Sequence, residues 1–296
     1  MVNKKQLHKQ ARAILLQIAN GETVNGISTD PFIVPKNITL LGSSVKTLKG
    51  NKIGVETSIL YLSPSDSGGI YKNGRIVNSC PNATKYCRAG CLGLNSGRMR
   101  FSSNWNSRKW KTVLLASDPG LFRDILIAEI KGKIVRAASN KMICAIRLNG
   151  TSDYPFIQLW DLAKMFPSVQ YYDYTKSRFI LNSYLRNHES NYHLTYSANS
   201  YPRSQELSTL ALKNGMSVAV IVDDAPSTVL RSDLAIKVLG EKNYRSLECN
   251  PFVIIDGDDS DARFLDSDDE SGALIWLKVK GGKSVERLLG EDVFNV

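Results

Sequence analysis

Two periods of hydrophobic recurrence alternate along the chain. Residues 3–20 carry the three-to-four spacing of an amphipathic surface helix, followed by a connector rich in Gly, Asn and Pro through Pro35. Short segments of strand character come next, at 38–41 and 53–62, the second running into the loop Ser63-Pro-Ser-Asp-Ser-Gly-Gly69. Helices are predicted over 105–116 and 119–138, with Asp118 as N-cap and Pro119 in the first helical position, where a missing N–H costs nothing. From there strand and helix alternate, with strands at 142–148, 169–174, 192–196, 217–222 and 252–255 and helices at 159–166, 179–187, 204–213 and 230–239. Residues 273–279 form a last strand, expected antiparallel at an edge.

Strands separated by single helices are joined by right-handed crossovers into a parallel sheet. The pattern therefore predicts an α/β fold of repeated βα units that form a full or partial TIM-like barrel, with a doubly wound open sheet as the alternative. At 296 residues and 43% hydrophobic, the chain reads as a single α/β domain with an N-terminal helical extension over about 1–35 and a C-terminal strand and tail over about 270–296. No apolar run reaches the roughly eighteen residues of a membrane span, so no membrane partner is expected.

Charge is distributed unevenly. Residues 248–270 hold nine acids and one base, so a formal net charge of +10 for the whole chain leaves +18 on the rest. Such a basic body attracts polyanions at long range, and nucleic acid is one expected class of partner, although no nucleic-acid-binding motif accompanies the charge. Five cysteines make an odd count and do not space like a disulfide framework, which points to a reducing compartment, the cytoplasm.

Three of those five fall within twelve residues, Cys80-Pro-Asn-Ala-Thr-Lys-Tyr-Cys87-Arg-Ala-Gly-Cys91. Thiolates at these separations can converge on one iron–sulfur cluster or one zinc ion, whereas a disulfide would use only two of them. Pro81 keeps the start of the loop out of a helix interior, and Gly90 permits a tight bend before Cys91. Lys85, Arg88, Arg98 and Arg100 place positive charge around the loop, which favours thiolate over thiol. Zinc sites commonly show paired short spacings such as C-x2-C, and none occurs here, so iron–sulfur is the first expectation. Zinc and three unligated cysteines are the alternatives.

In parallel α/β folds the working face lies at the C-terminal strand ends, and the cysteine loop follows a predicted strand there. Each later strand ends in polar residues: Arg147, Asn149, Thr151, Ser152 and Asp153; then Asp173, Thr175 and Lys176; then Ser197 and Asn199; then Asp223 and Asp224; then Asp256 and Asp258. Singly, each is also an ordinary turn residue. Arg147, Asn149 and Asp153 are the candidates for holding a cofactor or small molecule. For a fourth metal ligand the chain offers Cys144 or Cys249. Strand alternation puts Cys144 on the face opposite Arg147 and Asn149, toward the outer helices, as a small core residue. Cys249 is therefore the tentative fourth ligand beside Cys80, Cys87 and Cys91, with an open or non-cysteine position also possible. His193 reads as a strand surface residue. The acidic run Asp256–Asp261 lacks the twelfth-position Glu of a calcium loop, and the usual nucleotide-loop, nucleophile-elbow and zinc-protease signatures do not occur.

Three passages together, Cys80-Pro-x5-Cys87-x3-Cys91, Arg147-Leu-Asn-Gly-Thr-Ser-Asp153 and Asp256-Gly-Asp-x2-Asp261-x-Arg263-Phe-Leu-Asp266, resemble the bacteriophage gene product 88 family over roughly residues 50–281. That resemblance implies iron–sulfur binding in a phage protein working in the host cell cytoplasm, with a redox partner or a small molecule as its counterpart. The cysteine passage is also similar, more distantly, to radical S-adenosylmethionine enzymes, which bind a [4Fe-4S] cluster through three cysteines after the first barrel strand and leave one iron for S-adenosylmethionine. Its spacing departs from their C-x3-C-x2-C pattern, and Asn149-Gly-Thr-Ser-Asp153 stands where their Gly-Gly-Glu-Pro strand would be. The expected roles are redox or electron transfer, or cluster-based chemistry.

Overall fold

The computed structural model describes residues 3–43, 50–95, 97–199, 201–224, 231–247, 252–258, 262–266, 272–280 and 282–294. The chain divides into two compact units, one of Met1–Pro81 with Ser96–Val169, the other of Asn82–Asn95 with Gln170–Val296. No helix among the described residues is long and apolar enough to cross a membrane.

The first unit contains strands β1 (Ile27–Thr29), β2 (Leu41–Gly42), β3 (Val55–Leu60), β4 (Ile70–Lys72), β5 (Arg75–Ile76) and β6 (Ile143–Arg147). β3 and β6 are parallel, Val55 opposite Ile143 through Ile59 opposite Arg147, and β2 lies antiparallel on β3. The remaining three form a small antiparallel sheet in the order β1-β4-β5. The β4–β5 hairpin turns on Asn73 and Gly74, both at positive φ, and an Asn-Gly pair supports that backbone at little cost. This sheet was outside the predicted elements, although Asn73-Gly74 is the short-range signal for it.

Three helices pack together in this unit, Lys4–Ala19, Ser102–Ser117 and Pro119–Ser139. The first buries Leu7, Ala11, Leu15 and Ile18, a stripe at helical spacing, and the Asn3 side chain accepts from Lys5 N–H at its start. The third begins as expected: the Asp118 carboxylate accepts from Leu121 N–H at 2.9 Å, with Pro119 in the first turn. Its Glu129, buried, reaches the chain entering β2, where its carboxylate accepts from Leu40 N–H at 2.9 Å and Leu41 N–H at 2.8 Å. The helix expected over 159–166 is instead two short ones, Phe156–Trp160 and Leu162–Met165, because Asp161 between them adopts φ 47°.

The second unit contains β7 (Val169–Thr175), β8 (Tyr192–Ser197), β9 (Ser217–Val222), β10 (Val253–Asp256), β11 (Ala273–Lys278) and β12 (Val293–Phe294). The first five lie in the order β7-β8-β9-β11-β10, all parallel, and β12 also pairs with β9 in parallel, at Ile221 and Val222 beyond the reach of β8. The helices Arg178–Arg186 and Pro202–Lys213 make the β7–β8 and β8–β9 connections.

The expected antiparallel edge position of residues 273–279 is corrected: β11 is parallel and interior, and β10 takes the outer place. Burial accounts for the exchange. Ala273, Leu274, Ile275 and Trp276 are all buried, which requires cover on both faces, whereas Val253 of β10 is 48% exposed. The insertion of β11 between β9 and β10 breaks the consecutive order of a barrel, and no strand pairing among the described residues closes one. A mostly parallel α/β architecture of the doubly wound kind fits the observed order.

Glu129 supplies a testable consequence. Glu129→Ala removes a buried acceptor from two backbone donors, so stability measured by urea unfolding should fall by about 3 kcal/mol. An unchanged midpoint would mean that water replaces the carboxylate at no cost.

Candidate functional site

Because β3 and β6 run parallel, the segments leaving them emerge at the same edge of the first unit. Gly150 N–H donates to Leu60 O at 3.0 Å, and Thr151 Oγ1 donates to Leu62 O at 2.5 Å. Glycine is required at 150, since a Cβ there would come within 2.6 Å of both Ile59 Cγ2 and Tyr61 Cδ1. Ser79 is buried between the two segments. Its N–H donates to Ser65 O at 2.9 Å, its Oγ to Ser63 O at 2.6 Å, and its carbonyl accepts from Asp153 N–H at 2.8 Å.

Cys80 follows directly. Its Sγ lies 3.5 Å from Thr151 O and its N–H donates to Asn78 Oδ1 at 2.9 Å. The structure thus brings Cys80 to the Arg147–Asp153 segment, in the arrangement of a protonated thiol facing a carbonyl.

The three candidates for holding a cofactor differ in what their side chains do. Asn149 is buried and shapes its own turn: Nδ2 donates to Tyr154 O, while Oδ1 accepts from Tyr154 N–H and Ser152 Oγ, all at 2.9 Å. Arg147 ends β6 half-buried opposite Ile59, and Asp153 is half-buried beside Ser79.

Cys144 also lies in the first unit, buried in β6 opposite Glu56. Burial, then the Glu56 carboxylate, push its thiol up to about 11, against the pull of Lys133 on the Pro119–Ser139 helix. This is the helix-facing core position that strand alternation assigns to it.

The chain enters the second unit at Asn82, and Cys87 lies in the helix Lys85–Ala89. Thr84 caps that helix, its Oγ1 accepting from Cys87 N–H at 2.8 Å and donating to the buried Asp292 carboxylate. The helix packs on the C-terminal segment: a Cβ on Gly90 would lie 2.5 Å from Leu289 Cγ, and one on Gly290 would lie 2.8 Å from Tyr86 Cε1. Gly90, with φ −89°, therefore serves close packing rather than the bend its sequence context implied. Cys91 precedes the helix Leu92–Asn95, and its carbonyl accepts from Leu94 and Asn95 N–H. Cys80, Cys87 and Cys91 are all partly exposed, unlike Cys144. Among the described residues no three His, Cys, Asp or Glu side chains gather into a group that holds a metal ion. Cys249 and Asp261 lie outside the described residues.

Elsewhere in the second unit the polar strand ends have structural work. Lys176 Nζ donates to Ser197 O at 3.3 Å and Ala198 O at 3.1 Å, tying the end of β7 to that of β8. Asp173 and Thr175 are buried in β7. Asn199 Oδ1 accepts from Tyr201 N–H. Asp224 pairs with Lys278 at 2.6 Å and Asp258 with Lys280 at 2.5 Å. Gly257, between Asp256 and Asp258, is pressed on β11, where a Cβ would stand 2.5 Å from Ile275 Cγ2.

Arg263, buried, and His193, half-buried, lie close enough in this unit for the charge of one to act on the other. Arg263 is 1% exposed and its Nη1 lies 3.0 Å from Asp266 Oδ2, while Phe264 beside it packs on Tyr172 with ring centroids 5.7 Å apart. His193, expected at the surface, is half-buried, and its Nε2 is buried with no hydrogen-bond partner among the described residues. Thr195, two residues along the same face of β8, is fully buried with its Oγ1 in the same condition. Burial, then the Arg263 charge, lower the His193 pKa to about 4, and burial raises that of Asp266 to about 6 against the pull of Arg263.

The fold and these strand ends define a class: a mostly parallel α/β protein in which the start of the cysteine passage, reached through the β4–β5 hairpin rather than directly from β3, is tied at Ser79 and Cys80 to the segments that follow two parallel strands. Within that class the chain belongs to the gene product 88 family, whose model matches residues 39–289, from just before β2 to the end of the helix Gly282–Leu289. The match takes in the cysteine passage, the Arg147–Asp153 passage and the Asp256–Asp266 passage. No curated protein and no solved structure matches the chain.

The His193–Asp266 pair predicts a distinctive pH response. Between about pH 4 and 6.5 the unfolded chain holds more protons on His193 than the folded one, so acidification through that window costs stability. Asp266 acts oppositely: between about 3.8 and 6 its folded form holds more protons, so acidification there adds stability. His193→Gln should therefore make the protein lose less stability between pH 7 and 4.5 than the parent loses. Urea unfolding at both pH values measures this, and an identical loss in the two proteins would remove His193 from the account.

Proposed function

We propose that this gene product 88 protein is an iron–sulfur protein whose cluster, of the [4Fe-4S] type, takes its thiolate ligands from Cys80, Cys87 and Cys91, for redox or cluster-based chemistry in the host cytoplasm. The observation that carries the reading is the placement of Cys80. Ser79 anchors it to the C-terminal ends of two parallel strands, where α/β proteins do their chemistry, and its thiol is partly exposed rather than sealed in the core. The donor chemistry fits: three soft ligands within twelve residues of the sequence, with Lys85 and Arg88 among them to offset thiolate charge.

Ligation displaces the thiol protons, so Cys80 Sγ would release its proton and leave the Thr151 carbonyl. When bound, the cluster supplies one-electron chemistry. The chain's own contribution is to present Cys80 from a rigid strand end and to hold the Cys87 helix by Thr84, Asp292 and Leu289.

A second reading draws on the exposed Lys4, Lys5, Lys9 and Arg12 of the first helix. On that reading the protein binds nucleic acid through its basic surface, and the thiols hold a structural zinc ion.

Anaerobic purification with metal and sulfide analysis separates the two. A brown protein with a broad band near ~400 nm, from thiolate-to-iron charge transfer, supports the first reading. One zinc per chain and no sulfide sinks it. Cys87→Ser should lose the cluster, whereas Cys144→Ser should keep it, since that thiol is buried toward Glu56 and Lys133. Cys249→Ser tests closure of the fourth position: a labile cluster in that variant means Cys249 completes the set. If both the Cys144 and Cys249 variants keep full iron, S-adenosylmethionine titrated against the reduced cluster, with electron paramagnetic resonance as the readout, decides whether an open iron is used.

A further inference from the structure

The loop Ser63–Gly69 and the helix Ser102–Ser117, both in the first unit, meet around a cation that nothing so far employs. Lys109 is 0% exposed, and its Nζ has no hydrogen-bond partner among the described residues. Its one favourable contact is the Trp105 ring, with Nζ 4.9 Å from the centroid. The Asp30 carboxylate acts on it through space without forming an ion pair, and burial lowers its pKa. A ring face alone compensates only part of what a buried ammonium loses on leaving water.

The loop opposite holds the same kind of group. Ser65 is buried at φ 52°, and its Oγ also has no hydrogen-bond partner among the described residues. Loop and helix are joined at both ends of the interval between these residues. Ser63 N–H donates to Thr112 Oγ1 at 2.8 Å, one helical turn from Lys109, and a Cβ on Gly69 would lie 3.8 Å from Lys109 Nζ. That Cβ would also strike Asp30 Oδ2 at 2.2 Å, and Gly69 has φ 58°, so the loop tolerates only glycine there. Among the described residues, Lys109 and Ser65 are thus donors without acceptors, on two elements whose contact is fixed on either side.

We infer that the junction of the Ser63–Gly69 loop with Lys109 is a binding site for a small oxyanion, the phosphate or carboxylate group of a small molecule. Its oxygens accept from the Lys109 ammonium and the Ser65 hydroxyl, and its charge offsets that of the lysine. The two left-handed positions in the loop, Ser65 and Gly69, belong to the backbone conformations that build anion-binding concavities. Ser79 bonds the backbone of this same loop, so the ligand would sit on the element that anchors Cys80. The inference nevertheless stands without any metal, because neither donor is a cysteine.

The test is thermal unfolding of the full chain against rising inorganic phosphate and, separately, acetate, with chloride at matched ionic strength as reference. A ligand that binds only the folded form raises the midpoint with concentration. The parent protein should show such a rise with at least one oxyanion, phosphate alone pointing to phosphoryl compounds and acetate alone to carboxylates. Lys109→Met should weaken the fitted affinity at least about tenfold, the effect of losing one charge-assisted hydrogen bond, and Ser65→Ala by a smaller factor. No rise with either anion overturns the site, as does an undiminished rise in Lys109→Met, which would leave the lysine a structural cation stacked on Trp105. Should Lys109→Met fail to fold, Ser65→Ala decides, and parental affinity in that variant overturns the site.

Discussion

The hydrogen bonds of one buried serine organise the C-terminal ends of the parallel strands in the first unit. Ser79 donates from its backbone to Ser65 and from its side chain to Ser63, and accepts from Asp153, so segments that follow β3 and β6 are locked to the residue before Cys80. Each of these bonds is ordinary in strength, about 1 kcal/mol net. Their effect is positional. A cysteine loop free at both ends would sample many arrangements of its thiols, whereas this one starts from a fixed point beside Thr151. Glycine at 150 serves the same end, since only the absence of a Cβ lets Arg147–Asp153 run against Ile59 and Tyr61.

How much of this was legible depends on the range of the interaction that decides it. The βα rhythm, the Asp118–Pro119 helix start and the orientation of Cys144 were readable because each follows from local geometry: side-chain alternation along a strand, or one cap satisfying one orphan N–H. The hairpin at Asn73-Gly74 was readable in principle, from the dipeptide itself. The place of β11 was not. Its sequence and that of β10 are both short apolar runs, and which becomes interior is decided by what covers each face, a tertiary matter. The break at Asp161 was equally hidden, because a left-handed aspartate costs little and carries no distinctive pattern.

The polar ring at the strand ends divides in the same way. Its positions were predictable from topology, but its members have different occupations. Asn149 is absorbed in building a turn and Lys176 in bridging two strand ends, which is the bland reading their residue types always allowed. Lys109, Ser65, His193 and Thr195, each with a buried polar atom that has no hydrogen-bond partner among the described residues, lie outside that ring. Burial of a polar group is invisible in a sequence; only its consequences, such as a lysine four residues after a tryptophan, leave a trace.

Those buried cations set the electrostatic character of the first unit. Arg108, Lys109 and Lys111 are consecutive charged positions on one helix interrupted only by Trp110, and all three are buried. Each is compensated differently. Arg108 donates to Met99 O at 3.1 Å, while Lys111 stands over the Trp110 ring with the Glu129 charge near it and has its pKa brought down to about 8, chiefly by burial. Lys109 has the Trp105 ring and a carboxylate beyond ion-pair reach. Burying a charge costs several kcal/mol unless a counter-charge or hydrogen bonds offset it, and the Lys109 Nζ has no hydrogen-bond partner among the described residues. A helix whose only purpose was packing would place leucine there. The retained cation is consistent with a fold that keeps donor capacity in reserve beside Ser65, on the loop to which Ser79 and hence Cys80 are tied.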